Sequence, residues 1–201
     1  AARAMHILAE LAAVRRSLFT DDDVLAAYLG RLLAGVTDTL GAAQSAAHKG
    51  LEHDDTHHQF CRLLARLKGN YQLSQIVATP GYNDWIRLVA AFSVDSLRAW
   101  ETTSNSTFYL LTLWSRLIAA IPYLYSSTPS LLDEYAPAVF EAYVESRVDA
   151  VQQLVEGGDD DPWNDDEEAL FEQCDVLPYL GRLRYARTRD VLTGYLDPLL
   201  T

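Results

Sequence analysis

With 201 residues, 49% of them apolar and only 7 prolines, the chain has the material for a folded core, which excludes a disordered or low-complexity protein. Against 28 acids stand only 16 lysines and arginines, and the formal charge of -12 has the wrong sign for nucleic-acid binding through clustered cations. No apolar run approaches the roughly 20 residues that cross a bilayer, so no membrane insertion is expected; Cys61 and Cys174 both fall in helical patterns, making neither a disulfide framework nor a zinc finger.

A 3.6-residue period dominates, with no run of alternating β-branched residues, which predicts an all-α fold. The first helix is expected over about Arg3 to Ser17, with Met5, Leu8, Leu11 and Ala12 on one face. Thr20 is the expected cap of the second, because its hydroxyl can accept a free N–H while Asp21, Asp22 and Asp23 suit the positive end of the dipole. Leu25, Leu29, Leu32, Leu33, Val36 and Leu40 form its stripe, and Gly41 is the expected stop. Ala42 to Asp55 reads as a loop ending in a capping Asp54 or Asp55, ahead of a helix carrying Phe60, Leu63, Leu64 and Leu67. Gly69 and Asn70 interrupt it before a short turn through Leu73, Ile76 and Val77.

Pro80 and Gly81 mark the next boundary. Trp85, Leu88, Val89, Phe92, Leu97 and Trp100 then share one helix; Thr103 or Ser104 opens another, holding Tyr109, Leu110, Leu113, Trp114, Leu117, Ile118 and Ile121, with Pro122 near its end. Ser130 begins a long helical region through Val155, in which Pro137 predicts a break or kink after Tyr135. Glu156 to Glu168 is an acidic loop. A helix resumes from about Asp165 with Leu170, Phe171, Cys174, Leu177 and Leu180, and Val191, Leu192, Tyr195 and Leu196 close the pattern.

Grouped as antiparallel pairs every ~45 to 50 residues, near the period of HEAT and armadillo repeats, these helices predict a right-handed α-α superhelix of about four pairs. The pairs are expected at 3–41, 55–101, 105–156 and 165–201, stacked so that Leu64, Leu67, Leu113 and Leu117 are buried; an irregular helical bundle is the alternative. The opening inside an amphipathic pattern and the ending on Leu199, Leu200 and Thr201 are read as cuts in a longer chain.

The unbroken run from Phe60 through Cys61, Arg62, Leu63, Leu64, Ala65, Arg66, Leu67, Lys68, Gly69, Asn70, Tyr71 and Gln72 to Leu73 resembles the exportin-7 and Ran-binding protein 17 family of importin-β-type karyopherins. The likeness continues through 85–90, 109–117 and 120–123, back to 16–19 and forward to 142–147. It implies a middle segment of a longer HEAT superhelix that binds Ran-GTP, protein cargo and nucleoporins while shuttling between nucleus and cytoplasm through the nuclear pore. A HEAT-repeat adaptor without Ran-dependent transport is the other reading of the residues.

Asp159, Asp160, Asp161, Asp165, Asp166, Glu167 and Glu168, with Trp163 among them, form the densest local feature. They read either as a solvated connection whose last acids favour the next helix N-terminus, or as a partner-binding loop that attracts a basic surface, which the resemblance makes that of Ran or cargo. Trp163 would then anchor the contact. His53, Asp54, Asp55, His57, His58 and Cys61 have zinc-compatible donors, yet a loop-helix junction with a core cysteine explains them, and no metal or cofactor is expected. No Gly-x-Ser-x-Gly, phosphate loop or His-Glu-x-x-His occurs, so no catalytic residue is assigned. Trp85, Trp100 and Trp114 read as core, and Arg182, Arg184, Arg187 and Arg189 as partners of neighbouring acids.

Overall fold

A computed structural model describes residues 2–44, 51–124, 128–157 and 176–199. Its helices are α1 (Ala2–Leu11), α2 (Asp22–Gln44), α3 (Asp54–Asn70), α4 (Leu73–Val77), α5 (Tyr82–Arg98), α6 (Trp100–Ala119), α7 (Leu132–Gly157), α8 (Leu177–Arg182) and α9 (Tyr185–Leu196). Single 3-10 turns follow α1, α6 and α9, and no strand occurs among the described residues.

The helices form two rows, with α1, α3, α6 and α8 side by side in one and α2, α5, α7 and α9 in the other. Within a row, neighbours run parallel. His6 meets Gln59, Glu10 meets Arg62, and the Asn70 amide donates to the Ala12 carbonyl, so numbers rise together along α1 and α3. Across the rows the helices are antiparallel, since Trp114 meets Ser93 while Thr103 meets Ser96. Inter-row alternation with parallel neighbours is the architecture of a HEAT- or armadillo-like array. The side-chain bonds between successive pairs span from 46 residues at Arg187 and Glu141 to 64 at Arg182 and Ile118, about one repeat.

Apolar stripes fill the space between the rows. Leu64, Leu67, Leu113 and Leu117 are each 0% exposed, and Trp85 and Trp114 are equally enclosed. At roughly 25 cal/mol per Å² of apolar surface removed from water, contacts of this kind dominate the stability of the array.

Several local expectations are overturned by tertiary contacts. α1 stops at Leu11 instead of Ser17, because donors from neighbouring helices take its last carbonyls: Tyr28 bonds Leu11, Asn70 bonds Ala12, and Arg66 reaches Ala9 at 3.3 Å. Just beyond, Tyr71 bonds Val14. Asp21, not Thr20, caps α2, its Oδ1 accepting from the Asp23 N–H at 2.8 Å. Gly41 does not stop that helix, which continues to Gln44; Gly41 lacks the left-handed backbone that a terminating glycine uses, a conformation found at Gly81 (φ 85°) before α5. His53 rather than an aspartate occupies the cap position of α3, with Asp54 and Asp55 in its first turn.

The break expected at Thr103 or Ser104 falls earlier, at Ala99, and Trp100 opens α6. Thr103 lies inside α6 and turns its hydroxyl back to the Ser96 and Ala99 carbonyls at 2.6 and 3.0 Å. It therefore serves the end of α5, not the start of α6. Pro137 causes no break in α7, where the carbonyl deprived of a partner belongs to exposed Asp133 near the helix start. The expected helix carrying Leu170, Phe171 and Cys174 lies outside the described residues; of its stripe, Leu177 and Leu180 sit on α8, and Leu180 is buried.

Candidate functional site

Asp159, Asp160, Asp161, Trp163, Asp165, Asp166, Glu167 and Glu168 lie outside the described residues. What the structure places is the frame on either side of them, and it is strongly charged. Along α7, Glu145 takes Arg98 of α5 at 2.9 Å. On its other flank Asp133 takes Arg184 and Glu141 takes Arg187, at 3.4 and 3.5 Å. Arg189 pairs with Asp190, and Arg182 donates to the Ile118 carbonyl at 2.8 Å while lying over the Tyr179 ring. Arg182, Arg184 and Arg187 are thus spent on contacts with neighbouring helices, the last two with acids, and Arg189 on the adjacent acid of its own helix.

The junction at the start of α3 is also laid open. His57 is buried, its Nε2 2.9 Å from Ser96 Oγ on α5 and its ring against Phe92. Burial holds its pKa below the ordinary histidine range, partly opposed by the Asp54 charge and reinforced by His58. Cys61 Sγ lies 3.8 Å from His57 Nδ1, and burial pushes that thiol far up, which makes it an inert core group. His58 packs its ring at a steep angle against Tyr109 of α6; Asp54 and Asp55 are exposed, and the two aspartates line an open polar cleft of about 390 Å³ with His57 and His58. His57 and Cys61 are drawn into the core, and the aspartates stay out of it. The six residues do not converge on one point.

Trp85 and Trp114 are core, as their spacing implied, but Trp100 is half-buried with the Arg147 guanidinium 5.8 Å from its ring centre and 5.9 Å from that of Tyr143. A further ionic knot escaped the sequence reading. Glu10 on α1 receives Arg66 and Arg62 of α3 at 2.7 and 3.0 Å, and Arg66 with Arg62 holds that exposed carboxyl below its usual range. Partners 52 and 56 residues apart give no local signal; only the repeat spacing could have paired them.

Apolar side chains remain exposed at both ends of the array. Ile7, Leu11, Leu18 and Val24 lie on the first pair, and Tyr179, Tyr185 and Leu196 on the last. Near the latter, Phe140, Leu177, Pro178 and Leu192 line an apolar groove of about 420 Å³.

No family model and no solved structure matches the chain. Curated sequences do. The chain is 42% identical over 197 residues to Ran-binding protein 16 of Drosophila melanogaster, which is 98% of this chain and 17% of that protein. It is 42% identical over 194 residues to Ran-binding protein 17 of Homo sapiens and over 193 residues to Exportin-7-A of Xenopus laevis, in each case 96% of this chain. It spans about 17% of the length of each of these relatives. The all-α array of the described residues and an alignment over nearly the whole chain agree: the chain is homologous to one segment of the exportin-7 and Ran-binding protein 16 and 17 proteins.

Proposed function

We propose that this chain is one section of a nuclear transport receptor of the exportin type, a non-enzymatic helical scaffold that contributes to binding Ran-GTP and protein cargo, chiefly for nuclear export. The observation that carries the reading is the 42% identity along 96% or more of the chain to proteins named exportin and Ran-binding protein. A two-row array suits the role, because stacked repeats offer a long continuous surface to a partner without a catalytic cleft. Contact with nucleoporins and passage through the pore between nucleus and cytoplasm belong to the same proposal, and to the longer protein.

Within that reading, 3–41, 55–101, 105–156 and 165–201 are the repeat units, and Asp159, Asp160, Asp161, Asp165, Asp166, Glu167 and Glu168 with Trp163 attract a basic face of Ran or cargo. Long-range attraction of this kind raises association rates more than it raises final affinity.

The test is binding of the longer receptor containing this chain to Ran loaded with GTP or GDP. A clear preference for the GTP form is expected. Equal binding of both forms, or of neither, would sink the transport reading and leave a HEAT-repeat adaptor.

A further inference from the structure

Lys68 is anomalous. It sits at 9% exposure on α3, its ammonium 3.4 Å from the Tyr71 carbonyl, and no carboxylate among the described residues pairs with it. Buried lysines are rare unless paired. The charge that bears on it is another cation, Arg116 of α6. That guanidinium lies over the bare backbone of Gly69, where an added Cβ would stand 2.7 Å from Arg116 Nη1, and it too has no carboxylate partner among the described residues. Arg116 is exposed, so the pair opens to solvent on the arginine side.

Helix ends account for part of this. Lys68 and Arg116 occupy the last turns of α3 and α6, and each helix C-terminus carries about half a negative charge. Two such ends offset about one of the two positive charges. About one remains, set between neighbouring repeats of a chain whose net charge is -12.

We propose that Lys68 and Arg116 form a seat for one carboxylate presented by a protein partner. A guanidinium fork held against Gly69, the residue that follows the lysine, matches a planar oxyanion, the residual charge matches a monoanion, and the chain's net charge of -12 disfavours polyanions such as nucleic acid. Gly69 gives the arginine room to approach α3 closely. Only the source of the carboxylate rests on the scaffold reading; the seat itself is tested with a small molecule.

The chain, with its lysine and arginine side-chain nitrogens observed by NMR, is titrated with N-acetylglutamate methylamide, with the glutamine analogue and with inorganic phosphate. Saturable shifts at Lys68 and Arg116 are expected with the glutamate compound, none with the glutamine compound and weaker ones with phosphate. Lys68→Met and exposed Arg116→Gln should each weaken binding several-fold, with circular dichroism confirming retained helix. Gly69→Ala keeps both charges but crowds the guanidinium, and should weaken it as well. An equal response to the glutamine compound, tighter binding of phosphate, or unchanged binding in Lys68→Met and Arg116→Gln would overturn the assignment. A longer receptor indifferent to Ran that still passes the titration loses the transport reading and keeps the seat.

Discussion

The indole N–H of Trp114 donates to Ser93 Oγ at 3.0 Å, and Ser93 in turn donates to the Val89 carbonyl at 2.8 Å, so one fully buried polar chain ties α6 to α5. Ser93→Ala strands the indole N–H without an acceptor and should destabilise the fold by about 1 to 3 kcal/mol. In a Ser93→Ala, Trp114→Phe double mutant the orphan disappears with its donor, and the loss should be smaller than the sum of the two single-mutant losses. Urea unfolding of the four proteins measures this. Strict additivity would mean the bond contributes nothing.

The leucine stripes make a second prediction. Leu64, Leu67, Leu113 and Leu117 are completely enclosed, and truncating any one to alanine should cost about 2 to 5 kcal/mol, with the spread set by how far each site can collapse. Denaturant midpoints that hardly move would contradict a close-packed interface between the rows.

His57 gives the fold a pH dependence. Burial, opposed in part by Asp54 and aided by His58, holds its native pKa below the ordinary 6.5. As pH falls through that value the unfolded chain takes up a proton that the folded chain resists, so stability declines from there down to the native pKa and is level above. The groups facing the ring are Asp54, His58 and Cys61 on α3 with Ser96 and Phe92 on α5. His57→Gln, which can still bond Ser96, should remove this component. Unfolding midpoints at about pH 7.5 and about pH 5.5 should therefore differ more in wild type than in the variant.

Exchanging Asp159, Asp160, Asp161, Asp165 and Asp166 for asparagine in the longer receptor nearly preserves side-chain size while removing long-range attraction. Association with Ran-GTP or a basic cargo should slow at low salt and lose part of its salt dependence, since screening acts over about 8 to 10 Å at ordinary ionic strength. Stopped-flow rates at two ionic strengths decide it. Equal rates at low salt would make the segment a solvated connection.

What could be read in the sequence was whatever repeats within a few residues. The stripes through Leu29, Leu64, Trp85 and Leu113 point inward as their period required, because burial on one face leaves a local record. Boundaries were less legible. Thr103 carries the signature of a cap, yet its hydroxyl serves the helix before it, and α1 ends early because Tyr28 and Asn70 arrive from elsewhere in the chain. The start of α3 was legible in chemistry but not in geometry: His57 turns to Ser96, 39 residues away, and no spacing within the segment announces that. Lys68 was the detectable exception, since it follows Phe60 and Leu64 at the same four-residue step and shares their inward face.

Parallel neighbours within each row have a mechanical meaning. Because the side-chain ties among the described residues reach only to the adjacent pair, as Glu10 does to Arg62 or Glu145 to Arg98, a pull along the array is borne by its interfaces in series. Small rotations at each interface add along the length, so the array can lengthen or curl while every hairpin keeps its own packing. A stack built in this way behaves as a spring, and its compliance resides in the seams between pairs.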